Sequence, residues 1–458
     1  MPKAGLVYSE KAALSEILCK PKILPLKSVT LQKLEEMEKN QLAINIKLCQ
    51  FIINNLAKDK KGQYFIIDED KKALLLSSTK QKAIDLVIEI LKLRPDIIRI
   101  ELLQNLDVDG VQKLFIDFNL NNQITQVCFK RFMWYDQRAE ILGQFFMKNK
   151  IVKQLEIITV NDCNRGLTPL FEALTHNRSI SRYKIAINTI GQESILFLTK
   201  IIMDNKNVES LDLSYEICLE NIKLKGKHSN IQELMLKGCD IGKSGCKNLG
   251  TILEIGVKIQ NLDLSWNLLQ LDSVIEICKG MKLNSTLLHL DLSNNLIEEK
   301  SMKPLSEALR YNSTIRTLNL NNNTIHANGC IKLTKGLIDN ISLRSLSLSN
   351  NFIKDEGCEA LCHYLGKRSC ILEHLDISDN FIREKGSVNL LAILDYKESD
   401  NPEEDENEHD GLFGIIGKND SIKVLDMSRN DIKKLEKEFH YIPLHRKYKI
   451  KVILNDLR

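Results

Sequence analysis

The chain has 458 residues, of which 43% are hydrophobic, enough for two or three ordinary domains or for one repeat array that lengthens by adding units. Its 64 basic and 60 acidic residues leave a net charge of +4, so overall charge gives no reason to expect binding to nucleic acid or to a membrane surface. The N-terminus lacks the apolar run of a signal peptide and no later stretch approaches the ~20 apolar residues of a membrane span, which predicts a soluble intracellular protein whose 12 cysteines are reduced thiols.

Residues 1–96 contain two stretches with the apolar spacing of amphipathic helices. These are residues 31–56 and residues 77–93, the second with Ser77 or Ser78 as its N-cap. Neither stretch fits the regular repeat that occupies the rest of the chain. Because a repeat array needs a cover for its first core layer, we predict that residues 1–96 form an N-terminal helical cap. A partner-binding helix is the alternative interpretation.

From residue 97 onward, a leucine pattern recurs at a fixed spacing. Segments such as LLHLDLSNNLI (287–297) and SLRSLSLSNNFI contain an alternating apolar stretch followed by Asn. The anchor leucines of five such segments, Leu262, Leu290, Leu318, Leu346 and Leu375, are 28, 28, 28 and 29 residues apart. Weaker matches have their anchors at Ile100, Val127, Leu155, Tyr183, Leu211, Leu234, Leu425 and Ile450. We therefore predict twelve strands and a thirteenth that caps the array.

Each unit predicts one short strand and one helix. Alternating apolar residues turn leucines to one side of the strand, and the Asn that follows can hydrogen-bond backbone groups where the chain turns. In the unit after Leu346, Gly357, Leu361 and Leu365 give a turn and an apolar helical stripe. No unit can bury its leucines alone, so the units must stack. Since strands pack closer together than helices, the prediction is an α/β fold: a curved solenoid with parallel strands on the concave face and helices on the convex face.

This pattern resembles the ribonuclease-inhibitor-like branch of the leucine-rich-repeat family over residues 97–458. The resemblance implies the solenoid fold but no particular function, because members of that branch bind unrelated partners. Two departures interrupt the pattern. The step from Leu211 to Leu234 is short and has Glu216 in place of Asn, which predicts the loss of most of one helix. An acidic insertion near residues 397–417 is expected to be disordered and solvated.

Two motifs suggest chemistry but fit the repeat better. GCDIGKSG (238–245) is one residue shorter than a phosphate-binding loop and lies in repeat register. The group Cys358, Cys362, His363 and Cys370 could be imagined as zinc ligands, but cysteine recurs in the same helical slot of other units, as a small packing residue does. No catalytic constellation stands out, so the sequence predicts no enzyme, no cofactor and no metal site.

The strand positions between the leucines should line the concave face, and their character changes along the chain. Early strands are expected to present the basic residues Arg99, Lys130, Arg131, Arg182 and Lys184. Later strands present Asp212, Asp263, Asp291, Asn319, Asp376 and Asp426, together with His289. Trp266 and Tyr215 follow their strands where other units carry Asn, so we expect aromatic contacts at the edge of this face, unless Trp266 folds over a neighbouring loop. These residues are the predicted partner-binding set.

The function that these features favour is an interaction scaffold or adaptor that binds a protein with a basic surface patch on the concave face. The layout is similar to that of leucine-rich-repeat subunits of cytoskeletal and ciliary assemblies, which implies a cytoplasmic location with a possible association with cytoskeleton or cilium. A GTPase-activating protein of the Ran-activator type is the alternative, although the acidic run here lies inside the array and no catalytic loop can be matched. An inhibitor of a basic ribonuclease is a third hypothesis.

Overall fold

The computed structural model describes most of the repeat array. The described residues are 65–104, 106–117, 123–132, 134, 137–158, 166–187, 192–215, 230–367, 369–395, 421–432 and 451–453, with short pieces at 43, 46–47, 58–59 and 62–63. Three predictions fall wholly or largely outside them: the helix over 31–56, the missing helix after Leu211, and the acidic insertion at 397–417.

The described strands form one long sheet and one small hairpin. Their bounds are β1 Lys58–Asp59, β2 Gly62–Gln63, β3 Phe65–Asp68, β4 Ala73–Leu76, β5 Arg99–Leu102, β6 Gln126–Lys130, β7 Gln154–Ile158, β8 Arg182–Ala186, β9 Ser210–Asp212, β10 Glu233–Met235, β11 Asn261–Asp263, β12 His289–Asp291, β13 Thr317–Asn319, β14 Ser345–Ser347, β15 His374–Asp376, β16 Val424–Asp426 and β17 Lys451–Ile453. The long sheet runs in chain order from β3 to β17, and every neighbouring pair from β4 onward is parallel.

Helices connect the parallel strands. Their bounds are α1 Gln81–Leu93, α2 Val108–Val111, α3 Gln137–Lys148, α4 Thr168–His176, α5 Gln192–Asp204, α6 Lys243–Glu254, α7 Leu271–Leu283, α8 Met302–Tyr311, α9 His326–Leu337, α10 Lys354–Leu365 and α11 Glu384–Asp395. A π-helical turn, Gln112–Asp117, extends α2, and a 3-10 turn, Glu299–Ser301, precedes α8. This alternation confirms the predicted α/β solenoid.

The sheet begins earlier than the expected start at residue 97. Leu74 of β4 lies opposite Ile100 of β5 in a parallel ladder, and β3 adds an antiparallel edge strand. Helix α1 therefore connects two strands of the same sheet. The nearly buried guanidinium of Arg94 pairs with Glu69 at 2.6 Å and with Asp96 at 2.9 Å, which ties the β3–β4 turn to the end of α1. The antiparallel pair β3–β4 makes the four-residue strand β3 the N-terminal edge of the long sheet.

Two local predictions also differ from the structure. Helix α1 has Lys80 as its N-cap residue, and Ser78 only accepts a hydrogen bond from the Lys80 amide at 3.3 Å. At the other end, Val452 lies opposite Leu425, so the last strand has Val452 and not Ile450 as its anchor. Both differences are shifts of two or three residues, because the local pattern is weak at the ends of the array.

The strand leucines and the helical stripes form one continuous core. Anchor residues from Ile100 to Leu425 are nearly fully buried, as are the leucines two positions further on in the regular units. The periodic cysteines belong to this core: the thiol of Cys330 lies 3.4 Å from the carbonyl oxygen of Gly357, and that of Cys358 lies 3.4 Å from Gly386 O. Their spacing of one unit therefore comes from helix-to-helix packing.

A ladder of buried asparagines connects the units beside the sheet. Each member donates from Nδ2 to a backbone carbonyl of the preceding unit at 2.7–3.1 Å: Asn267, Asn295, Asn323, Asn351, Asn380 and Asn430. The side-chain oxygen of a ladder residue also accepts hydrogen bonds: Oδ1 of Asn295 accepts from the backbone amides of Asn267 and Leu269 in the preceding unit. These contacts satisfy backbone groups that would otherwise be buried without partners.

A second asparagine ladder lies where each helix leads into the next strand. Its members donate from Nδ2 to carbonyls of the preceding unit and are between 1% and 4% exposed: Asn177, Asn205, Asn284, Asn312 and Asn340. Asn284 and Asn312 stand in Asn-x-Ser/Thr triplets, but their side chains are committed to this ladder.

Candidate binding surface

The aspartates between the strand leucines form a row, here named the Asp row: Asp212, Asp263, Asp291, Asp376 and Asp426. In every case Oδ1 accepts a hydrogen bond from the backbone amide two residues later, at 2.8–3.0 Å. Asn319 makes the same contact at 3.1 Å. Half of each carboxylate therefore stabilises the turn after its strand. The row was predicted from the sequence, but this role in the turn was not.

The second oxygens of the Asp row differ in their surroundings. Asp212 Oδ2 pairs with Lys184 at 2.8 Å, and Asp291 Oδ2 accepts from Asn319. Within the described ranges, the second oxygens of Asp263, Asp376 and Asp426 have no hydrogen-bond donor. Asp263 lies directly opposite Asp291, and Asp376 lies opposite Asp426. Like charges at opposing positions repel each other, so this part of the face favours a cationic partner.

The early strands have a compact ion-pair network in place of a free basic surface. Arg99 pairs with Glu101 at 2.7 Å and with Glu156 at 2.9 Å, and its side chain is only 13% exposed. Lys130 pairs with Glu101 at 2.6 Å. Glu101 and Glu156, which were not among the predicted residues, largely neutralise the expected basic character of these strands. Arg182 is exposed, and Arg131 has a left-handed backbone at φ 56°.

The two glutamates stay ionised in this network. Burial by itself would raise the pKa of Glu101, but hydrogen bonds from Lys130 and Arg99 outweigh it and hold the pKa below the ordinary value. For Glu156, burial again acts to raise the pKa, and the hydrogen bond from Arg99 overcomes it. The network therefore holds four charges of balanced sign on the first three strands of the predicted array, so these four residues contribute no net charge to that part of the face.

Trp266 and Tyr215 stand out on this face. Both lie four residues after their anchors, and their side chains are 54% and 55% exposed. Both have a left-handed backbone, with φ at 60° and 68°. Five other units fill this slot with Gly238, Asn294, Asn322, Asn350 and Asp379, residue types that tolerate such a backbone, whereas two units have Arg131 and Arg429 there. A bulky aromatic costs about 1–2 kcal/mol there, so the fold does not explain the choice.

The remaining predicted contact, His289, is exposed at the start of β12, where it lies between Asn261 and Thr317 of the adjacent strands. Asn319 is partly buried on the next strand. The structure thus places His289, Asn319 and the later Asp residues on β11, β12, β13, β15 and β16, with Ser347 of β14 between them. Arg182 and Lys184 of β8 lie nearer the ion-pair network.

The two chemical motifs have structural roles. In the 238–245 loop, the amides of Cys239 and Ile241 donate to Asn267, and Lys243 pairs with Asp272 at 2.9 Å. Cys358 and Cys362 are buried in α10. Across the residues described, no group of three or more His, Cys, Asp or Glu could hold a metal ion. The described helices include none that is long and apolar enough to cross a membrane.

A set of exposed apolar residues was missed by sequence analysis. Leu268, Leu296, Phe352 and Phe381 each lie six residues after their anchors, between a buried Asn and a buried apolar residue, and are at least 36% exposed. Their recurrence at the repeat spacing was the available signal.

Parallel strands in strict register, alternating with helices and joined by asparagine ladders, define a leucine-rich-repeat solenoid. The leucine-rich-repeat family model matches three of these units, at residues 283–306, 311–333 and 339–362. The chain is similar to NACHT, LRR and PYD domains-containing protein 4C of Mus musculus, at 26% identity over 151 residues, which cover 31% of this chain and 15% of that protein. An internalin from Listeria monocytogenes has 14% identity and a TM-score of 0.37, over 70% of this chain and 85% of that one.

The N-terminus matches a different family. Residues 1–49 fit the model described as Cilia BBSome complex subunit 10. BBSome-interacting protein 1 of Nematostella vectensis is 54% identical over 39 residues, which cover 8% of this chain and 54% of that protein. The Danio rerio protein of the same name is 55% identical over 40 residues, covering 9% of this chain and 54% of its own length. The match thus spans about half the length of each BBSome-interacting protein.

Proposed function

We propose that the chain is a non-enzymatic adaptor of a ciliary assembly. In this proposal, residues 1–49 bind a component of the BBSome, and the solenoid binds a second protein through its concave face. The observation that carries the proposal is the joining, in one chain, of a segment more than half identical to BBSome-interacting protein 1 and a leucine-rich-repeat array. This favours the partner-binding interpretation of the N-terminal region over a purely structural cap.

The concave face supports the second half of the proposal. Asp263, Asp291, Asp376 and Asp426 give the later strands a negative character, and Trp266 adds an exposed aromatic beside them. Tryptophan is enriched among the residues that contribute most of the binding energy near the centres of interfaces. We infer a partner with a basic surface patch and a cytoplasmic or ciliary location. The matched families give no support to the GTPase-activating alternative.

A triple substitution tests the concave face without disturbing the fold. Asp263→Asn and Asp291→Asn remove charge but keep the amide acceptor, as Asn319 shows, and Trp266→Asn places a favoured residue in a left-handed slot. We expect the variant to melt no lower than the wild type. Recovery of solenoid partners from ciliated-cell extract, measured by quantitative mass spectrometry, should fall at least tenfold.

A matched control changes helix-side carboxylates. Glu307→Gln and Asp339→Asn remove two charges that pair with Lys282 and Arg310 on the other side of the array. Partner recovery should remain at the wild-type level with this control. If the concave variant and the control recover the same proteins in the same amounts, the concave face is not the binding site.

A further inference from the structure

One edge of the solenoid carries exposed apolar side chains in successive units. We name Leu268, Leu296, Phe352 and Phe381 the rim patch. Their side chains are 61%, 45%, 36% and 53% exposed, and all follow the buried asparagine ladder directly. In the unit between Leu296 and Phe352, the equivalent residue is Thr324, which is partly buried. Repeated large apolar residues on a surface mark interaction sites more often than scattered ones do.

The left-handed backbone of three rim-patch residues indicates that their side chains do not stabilise the fold. Leu268, Phe352 and Phe381 have φ angles of 54°, 58° and 57°, in the left-handed region. Glycine or asparagine would fit this conformation at a lower energy, by about 1–2 kcal/mol for each residue. Strained backbone conformations cluster at functional sites, so strained residues with exposed side chains indicate a contact with another molecule.

The aromatic end of the rim patch forms a continuous shelf. The rings of Phe352 and Phe381 stack with their centroids 5.6 Å apart and an interplanar angle of 11°. The ring of His326 continues the shelf on the other side, 5.6 Å from Phe352. The shelf therefore spans three successive units. In the first of them Thr324 occupies the rim-patch position, and His326 supplies the ring.

The spacing of the rim patch matches that of an α-helix. One apolar side chain per unit, about 5 Å apart, is close to the helical pitch of about 5.4 Å. Five units from Leu268 to Phe381 span roughly 20 Å, which is the length of a helix of about 14 residues. A helix with one large apolar side chain per turn could therefore contact every unit of the rim patch.

The Asp row determines which flank of such a helix should be basic. Asp263, Asp291 and Asp376 lie five residues before Leu268, Leu296 and Phe381, so the Asp row runs parallel to the rim patch on its concave side. We propose that the rim patch docks an amphipathic helix of the protein partner, with one large apolar residue per turn and Lys or Arg along the flank that faces the Asp row. This rests on the proposed function, because it specifies the partner of the same solenoid.

Designed peptides test the proposal on the full chain. One labelled 16-residue peptide carries Leu or Phe once per turn with Lys on one flank, a second has Glu in place of Lys, and a third is a scrambled form of the first. Fluorescence anisotropy should show the Lys peptide binding at least tenfold tighter than either of the others. The double variant Phe352→Asn and Phe381→Asn should weaken that binding at least tenfold and melt no lower than the wild type. Tyr311→Gln, which removes an aromatic 66% exposed at the end of α8, should change neither property.

Three results would overturn the inference: equal affinity for the Lys and Glu peptides, equal affinity for the scrambled peptide, or unchanged binding by the Phe352 and Phe381 variant. Partner recovery from extract separates this failure from failure of the proposed function. If the rim variant keeps the partners that the concave variant loses, the helix-docking inference fails and the adaptor proposal stands. If the concave variant keeps them as well, the proposed function of the solenoid also fails.

Discussion

Replacing Arg99 with alanine should lower the local free energy of unfolding by about 3–5 kcal/mol, because it leaves Glu156 without its main cationic partner and Glu101 with Lys130 alone. Glu101 and Glu156 are 5% and 8% exposed as residues, so water cannot replace the guanidinium fully. The loss should appear in β5, β6 and β7, since Arg99 connects the first of these strands to the third. Hydrogen–deuterium exchange of these amides measures it, because long repeat arrays need not unfold as one unit.

A charge-free version of the network serves as the control. Arg99→Met and Lys130→Met combined with Glu101→Gln and Glu156→Gln remove all four charges of the network and should regain most of the lost protection. A single Arg99→Ala variant with unchanged exchange rates would show that the network contributes nothing.

Acidification gives a second readout of the same network. The folded-state pKa values of Glu101 and Glu156 lie below 4.5, so the stability from their ionised forms is fully present above about pH 4.5. It should be lost as the pH falls through the lowered folded-state values.

Replacing Asn295 with alanine should lower the free energy of unfolding by about 3 kcal/mol. The side chain donates to the carbonyls of Leu264, Leu292 and Ser293 and accepts from two amides of the preceding unit. Each buried backbone group left without a partner costs about 1–3 kcal/mol, and partial rearrangement keeps the total below the simple sum. Hydrogen exchange across β11 and β12 is the direct measurement.

An exposed asparagine nearby provides the comparison. Asn322 has a left-handed backbone at φ 55°, so Asn322→Gly should leave stability within about 0.5 kcal/mol of the wild type. Similar losses for the two variants would contradict the assignment of stability to the buried ladder.

The sequence was sufficient to predict the array, because one unit determines its neighbours. The spacing of 28 residues places Leu262, Leu290, Leu318 and Leu346 in one register, as observed. The parallel strand β4 was missed because Leu74 and Ile100 are joined by a shorter unit with no Asn signal. The second asparagine ladder was readable from the spacing of Asn284, Asn312 and Asn340, but its meaning depends on which carbonyls lie nearby.

The candidate site was only partly predictable. Alternation along each strand places the Asp row on the surface, and this follows from local geometry. Trp266 lies beyond the end of β11, and its exposure accompanies a left-handed backbone. The neutralisation of Arg99 does not follow from local geometry, because Glu156 is 57 residues away in the chain. The rim patch was missed for a different reason: an apolar residue beside a strand is usually assigned to the core, and its exposure depends on the left-handed turn.

The central claim is that one chain joins a BBSome-binding segment to a protein-binding solenoid. The most direct test immobilises purified BBSome and compares the wild-type chain, a chain with residues 1–49 scrambled, and the Asp263, Asp291 and Trp266 variant. We predict that the scrambled chain loses BBSome binding at least tenfold but keeps its solenoid partners, while the concave variant keeps BBSome binding and loses those partners. BBSome binding that persists with the scrambled segment, or that is absent from the wild type, would contradict the account.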